Sequence, residues 1–280
     1  MAEGKVVILG GRGMLGTELA NECGRRDIDF EAFDLPEFDI TDYRQLKDAV
    51  SGSSIVVNCA AYTDVEQAER KYELAYRVNA EAAGHLAALA KEAGVYVLHI
   101  STDFVFDGKS DRPYVETDLP NPINAYGRSK FAGEQLLVQN GCSHCIIRLQ
   151  WTYGPAGSNF VTKLIAIAKR DRNIKVVDDQ TGSPTATMEA AKVICELLPQ
   201  RPQGLFHFAA SGFVSRFGMA EFIFENLDMP VNLIGCKSSD FPTLATRPLN
   251  SCFNCSKIQS LLERPIESWQ GPLRCFLERL

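Results

Sequence analysis

Apolar residues come in short bursts through the first half of the chain, separated by longer stretches in which they recur every three or four positions. The bursts are "KVVILGG" (5–11), "DFEAFD" (29–34), "SIVVNCAA" (54–61), "VYVLHIST" (95–102) and "CIIRLQW" (145–151). They are short, rich in β-branched residues and almost continuously apolar, the pattern of parallel strands buried on both faces. The stretches between them, 14–25, 42–50, 72–93 and 124–139, predict helices. The third is rich in Ala and Leu and closes on Gly94, a C-cap. This alternation predicts an α/β fold: a Rossmann-type, doubly wound parallel sheet with right-handed crossovers.

After residue 152 the rhythm loosens. Helices are expected at 158–170, 185–198, 216–227 and 266–279, and strands at "IKVVDD" and "GLFHFAA", with Pro and Gly between them. The expected organisation is a dinucleotide-binding domain over 1–152 and a smaller α/β lobe over 153–280, interleaved with the first and binding substrate. No internal repeat or low-complexity linker breaks the chain.

Composition narrows the partners. The 280 residues are 45% hydrophobic and 23% charged, the balance of a soluble globule. A net charge of -6 argues against nucleic acid, whose backbone an acidic surface repels. No apolar run approaches the ~18 residues that span a bilayer, and "MAEGKVVILGG" lacks the layout of a secretory leader. The cytoplasm is therefore expected, with the nine cysteines as reduced thiols. Cys142/Cys145 and Cys252/Cys255 have C-x-x-C spacing but lie too far apart for a compact zinc knuckle, so no metal is expected.

The chemistry begins at "GGRGMLG", which follows the first strand and opens the first helix. Gly10, Gly13 and Gly16 suit a tight turn, the approach of a diphosphate to the backbone, and close packing of helix on strand. The helix N-terminus offers free N–H groups to the phosphates. Asp34 ends the second strand, where a carboxylate can accept hydrogen bonds from the adenosine ribose. Asp39 and Ile40 are candidates for the adenine edge.

Two further features share the segment 101–130. Ser101 and Thr102 end the fourth strand, and in open α/β sheets ligands bind beyond the carboxyl ends of strands. Tyr126 and Lys130 stand four residues apart on a helix, on one face and roughly 6 Å apart along its axis. An ammonium beside a phenol is expected to lower its pKa toward acid/base duty. Together they suit the reduction of a carbonyl: a hydroxyl binds the oxygen and Tyr126 protonates it.

These residues resemble the extended short-chain dehydrogenase/reductases, and among them the branch of dTDP-4-dehydrorhamnose reductases. The likeness runs nearly the whole length, through "GGRGMLG", "FDITD", "VVNCAAYTDVEQAE", "VNAEAAGHLA", "HISTDFVFDG", "AYGRSKFAGE", "QWTYG", "DDQTGSPT", "GLFHFAASG" and "ATRPLNSCF". It implies NADPH or NADH as cofactor and reduction of the C4 keto group of a dTDP-sugar, dTDP-4-dehydro-L-rhamnose. It implies Thr102, Tyr126 and Lys130 as the catalytic set, Lys130 also holding the nicotinamide ribose. Met14 and Leu15 of the Gly-rich turn and Ala60, Ala61 and Thr63 of "AAYTDV" would lie against the cofactor. Thr63, Val65, Phe104 and Trp151 would face the sugar, and Asn79 would begin a helix near the site. Arg247 is a candidate for the diphosphate or for a clamp between lobes. Some members hold Mg²⁺ between two subunits, which implies a homodimer; Glu18 matches one ligand position and Glu189 approximates another, but the full cluster is not evident.

The chain departs from the branch in three places. Phe104 stands where Tyr is usual, Leu35 follows Asp34 where Arg is common, and "RLQW" replaces "RTSW". Leu35 removes a cation from the place of a 2′-phosphate and points to NADH over NADPH. Two other readings stay open on these residues: a reductase or 4-epimerase of another nucleotide sugar, and a non-catalytic subunit such as the β subunit of methionine adenosyltransferase.

Overall fold

The computed structural model describes residues 4–280; residues 1–3, where the reading for a leader begins, lie outside them. Strands β1 (Val6–Leu9), β2 (Phe30–Phe33), β3 (Ile55–Asn58), β4 (Tyr96–Thr102) and β5 (His144–Leu149) join one parallel sheet. Beyond β5 the chain leaves it. β6 (Thr152–Tyr153), β7 (Asn173–Val177), β8 (Thr181–Gly182) and β9 (Thr185–Ala186) form small pairings elsewhere. β10 (Gly204–Phe208) then returns to pair with β5, giving the order β10-β5-β4-β3-β1-β2. β11 (Val214–Ser215) and β12 (Asn232–Cys236) go out again, to β8 and β7 respectively.

Both faces of the sheet are covered, which is why its strands read as unbroken apolar runs. Val6, Ile8, Ile55, Val57, Leu98 and Ile147 pack toward helices α1 (Met14–Arg25) and α8 (Thr187–Leu197), while Val7, Leu9, Val56, Val97 and Ile146 pack the other way. Those residues meet α2 (Tyr43–Val50), α5 (Ala82–Ala93) and α6 (Ala125–Asn140). β2 is the exposed edge, so its residues are only half-buried or exposed. A third core, with Tyr153, Leu164, Ile223 and Leu273, fills the second lobe between α7 (Phe160–Ala168), α9 (Arg216–Asn226) and α11 (Gln270–Leu277).

The helix expected over 72–93 is three pieces in line. α4 (Tyr72–Tyr76) passes into a π-helical turn at Arg77–Glu81 before α5 begins. Gly94 closes α5 with φ +68°, as its position suggested. The short helix α3 (Val65–Arg70), capped by Asp64, was not expected from the pattern; one and a half turns carry too few apolar positions to show a period.

Candidate active site

One cavity of about 520 Å³ opens at the carboxyl ends of β1, β3, β4 and β5. The order of strands reverses between β1 and β3, the place where such sheets bind ligands. Gly10 takes φ +79°, a conformation that favours glycine. A Cβ at Gly16 would lie 2.0 Å from the Gly10 carbonyl oxygen, so α1 seats on the turn only because residue 16 has none. This close cradle fits a diphosphate against backbone N–H groups.

Of the residues named above, Gly10, Gly13, Met14, Leu15, Asp34, Asp39 and Ile40 line one end of this cavity. Ala60, Ala61, Thr63 and Val65 form one side, and Thr102, Phe104, Tyr126, Lys130 and Trp151 the other end. The Ala60 turn is held from below: Asn58 accepts from the Ala60 N–H at 3.1 Å, and its amide meets the ring of buried His99 at 3.1 Å. Arg247 does not line the cavity. It is drawn to Glu66, in the first turn of α3, at 2.7 Å and donates to the Ala245 carbonyl at 3.1 Å.

Tyr126 and Lys130 are placed by the start of α6. Asn124 caps the helix by accepting from Gly127 at 2.8 Å, and its amide reaches the Thr246 carbonyl at 2.8 Å. Glu69 accepts the Ala125 N–H at 2.7 Å. Asn79 begins no helix; it lies in the π-turn, where its side chain is buried and fully used. It accepts from Tyr62 N–H at 2.8 Å and donates to the Tyr62 carbonyl at 3.1 Å and Ser129 Oγ at 2.9 Å. It therefore locks the loop after β3 to α6, a use consistent with the frequency of π-turns at functional sites.

The electrostatics differ from the simple expectation for a Tyr–Lys pair. Lys130 is 2% exposed and gives a hydrogen bond to the Ile100 carbonyl at 2.6 Å. Burial lowers its pKa to about 8, with Glu134 pulling the other way. Burial likewise pushes the Tyr126 phenol up to about 12, offset in part by the Thr102 hydroxyl. Desolvation outweighs any depression by the ammonium, so Tyr126 stays protonated, the form that can donate. The Phe104 ring stands edge-on to Tyr126, with centroids 5.6 Å apart.

Two charged residues of the cavity wall had escaped the sequence reading. Asp103 is buried, accepts from Thr102 Oγ1 at 3.1 Å and from Ser251 Oγ, and is pushed up to about 6 by burial. Its place directly after the Ser-Thr pair was the available signal. Arg216, from the second lobe, stacks over the Trp151 ring at 3.5 Å; nothing in the local pattern marks it.

Arg12 bears on the cofactor. Its N–H donates to Asp34 at 2.8 Å, and its guanidinium donates to the Leu35 carbonyl at 2.7 Å and pairs with Glu37 at 2.7 Å. A cation thus stands at the edge that Leu35 was read as leaving uncharged. Of the two metal-ligand positions suggested by resemblance, Glu189 has its two oxygens held by Lys192 at 2.6 Å and Arg264 at 3.1 Å.

A Gly-rich turn at the switch point of a parallel sheet, facing a Tyr–Lys pair across one cavity, defines a short-chain dehydrogenase/reductase of the extended type. Comparison with known proteins narrows this. The family model described as the RmlD substrate binding domain matches residues 4–280, and the chain belongs to that family. It is 35% identical to the dTDP-4-dehydrorhamnose reductase of Aggregatibacter actinomycetemcomitans, over 96% of this chain and 97% of that protein. It is 36% identical to the enzyme of the same name from Mycobacterium tuberculosis, over 96% and 91% respectively. The crystal structure of dTDP-4-dehydrorhamnose reductase from Bacillus anthracis in complex with NADP superposes with a TM-score of 0.94 at 35% identity, covering 99% of each chain.

Proposed function

We propose that the protein reduces the C4 keto group of dTDP-4-dehydro-L-rhamnose to the alcohol of dTDP-L-rhamnose, using NADPH or NADH. The observation that carries this is the convergence of Thr102, Tyr126 and Lys130 on one cavity with the Gly-rich turn. Family membership supplies the substrate class.

The cradle of Gly10, Gly13, Met14 and Leu15 holds the cofactor diphosphate, Asp34 the adenosine ribose, and Asp39 and Ile40 the adenine edge. When bound, the reduced nicotinamide supplies hydride to C4. Tyr126, protonated throughout the physiological range, gives its proton to the C4 oxygen as negative charge develops there. The ketone gains hydride and proton and becomes a secondary alcohol; the phenolate left behind is reprotonated from solvent. Lys130 adds a positive charge that favours that phenolate and binds the nicotinamide ribose. Thr102 and Asp103 hold the sugar oxygens, and Phe104 and Trp151 exclude water from the reacting face. The substrate lobe is drawn from the segment after residue 152, parts of which, β10, α8 and the stretch around Ile258, pack back on the sheet. The reading places the enzyme in the cytoplasm as a homodimer; among the described residues no helix is long and apolar enough to cross a membrane.

The test is oxidation of NADPH and NADH on mixing with dTDP-4-dehydro-L-rhamnose, beside Tyr126→Phe. Removal of a general acid is expected to cut kcat by about 10²–10⁴ while cofactor binding stays within roughly twofold. Cofactor that binds but is never oxidised would overturn the assignment, and retained activity in Tyr126→Phe would remove Tyr126 as proton donor.

A further inference from the structure

Among the described residues, two basic side chains line the cavity, Lys130 and Arg216. Lys130 is committed to the Ile100 carbonyl at 2.6 Å, beside the reacting phenol. The Arg216 guanidinium has no direct hydrogen bond or ion pair among the described residues; the Asp103 carboxylate favours its charge only through space. It is the first residue of α9, following the capping Ser215. Its guanidinium stacks over the Trp151 ring at 3.5 Å and lies 4.7 Å from the centroid of the Phe160 ring. Its backbone N–H bonds the Gln180 carbonyl at 3.0 Å, but among the described residues its guanidinium has no hydrogen bond and no ion pair.

That arrangement is unusual for an arginine. Two aromatic rings cover part of the half-buried guanidinium, and desolvation lowers its pKa to about 9. A charged donor group partly shielded from water and left without a direct acceptor is well placed to gain from a ligand that supplies one. The charged neighbours do not serve. Asp103 accepts from Thr102 and Ser251 and acts on Arg216 only through space, with no direct contact to the guanidinium. Arg247 is close enough to repel Arg216 and is itself paired to Glu66 at 2.7 Å. The stacked fork is fixed in advance, and a guanidinium fork matches two oxygens of a phosphate.

We propose that Arg216 binds the diphosphate of the nucleotide-sugar substrate. This rests on the nucleotide-sugar reading above and adds the residue that recognises the charged part of the ligand. The polarity of the wall then orients the molecule: hydroxyls of the sugar go to Asp103 and Thr102, and the anionic end goes to Arg216 and the field of Arg247. The cofactor's diphosphate has its own place at the Gly10–Gly16 turn, on the other side of the cavity, made of backbone from the first βα unit.

The experiment is calorimetric titration of the full-length protein, loaded with NADP⁺, with dTDP and with thymidine, for wild type, Arg216→Gln and Arg216→Lys. NADPH affinity is measured alongside. Glutamine removes the charge and the guanidinium fork while keeping the aliphatic stem and a polar end. The expected result is a loss of roughly tenfold to a hundredfold in dTDP affinity in Arg216→Gln, with thymidine and NADPH binding unchanged and partial recovery in Arg216→Lys. Equal losses for dTDP and thymidine would make Arg216 a packing group for Trp151 and overturn the proposal. So would a loss confined to NADPH, or unchanged dTDP affinity. If wild type binds neither dTDP nor thymidine, the dTDP-sugar reading itself falls and takes the inference with it.

Discussion

The Gly-rich turn and the Trp151 wall face one another across the same cavity, one made of backbone and the other of side chains. The turn is seven consecutive residues, and what matters in it is missing atoms: the space left at Gly10 and Gly16 lets strand, turn and helix close on a diphosphate. The wall is gathered from Trp151, Phe160, Gly182 and Arg216, brought together by a chain that leaves the sheet after β5, pairs β8 with β11 and returns through β10. A backbone-built site tolerates no added atom and depends little on which side chains surround it. A side-chain-built site can change its members, and so its ligand, without disturbing the sheet. Substitutions on the two sides should therefore separate cofactor from substrate.

The larger effect is expected at the turn. In Gly16→Ala the new methyl would meet the Gly10 carbonyl at 2.0 Å, a backbone atom with no freedom to swing away. The turn or α1 must shift, an overpacking cost of about 1–3 kcal/mol or more. The apparent KM for NADPH should rise by roughly tenfold to a hundredfold, with a lowered melting temperature. An unchanged KM for NADPH would show that the cradle is not the cofactor site.

The counterpart on the wall is Gly182→Ala. Its methyl would lie 2.7 Å from Cε2 of Trp151 and 2.9 Å from Oε1 of Gln150. The indole, carried on a backbone already in the left-handed region at φ +46°, would be displaced with the guanidinium stacked on it. KM for the dTDP-sugar should rise by roughly fivefold to tenfold while KM for NADPH holds. If both constants move together, the two halves are mechanically coupled and the contrast drawn here is too sharp.

The same contrast explains what could be read from the chain alone. The parallel sheet, the turn and the Ser-Thr…Tyr-x-x-x-Lys segment were legible because each is local: a run of apolar residues, three spaced glycines, two residues on one helical face. Arg216 was not legible, since it gains its place only when α9 packs against the Trp151 turn, and no periodicity encodes that. Arg247 shows the converse: its sequence context left two uses open, a diphosphate or a clamp, and the fold puts Glu66 beside it, the contact a clamp makes. Asn79 shows a third case: the residue was singled out, but its three hydrogen bonds depend on a π-turn that an Ala-rich helical pattern does not reveal.

The smallest expected effect, and the one that separates chemistry from stability, lies in the pH profile. Tyr126 remains protonated until about 12, so it should not set an alkaline limb in the accessible range. Lys130 loses its proton at about 8 in the folded protein. The free-enzyme profile of kcat/KM should therefore fall with a midpoint near pH 8, to roughly a quarter of its plateau half a unit higher. Stability moves the opposite way over this interval. The folded pKa lies below the ordinary 10.5, so the unfolded chain binds more protons between the two values and the Lys130 contribution to folding rises with pH from about 8. Measuring melting temperature and kcat/KM between pH 7 and 10, for wild type and Lys130→Arg, checks both signs. In the variant the limb should leave the accessible range, whatever activity survives, and the pH-dependent gain in stability should disappear. A limb near pH 8 that persists in Lys130→Arg would assign it to another group; a melting temperature that falls in step with wild-type activity would trace the loss to unfolding and not to the ammonium beside Tyr126.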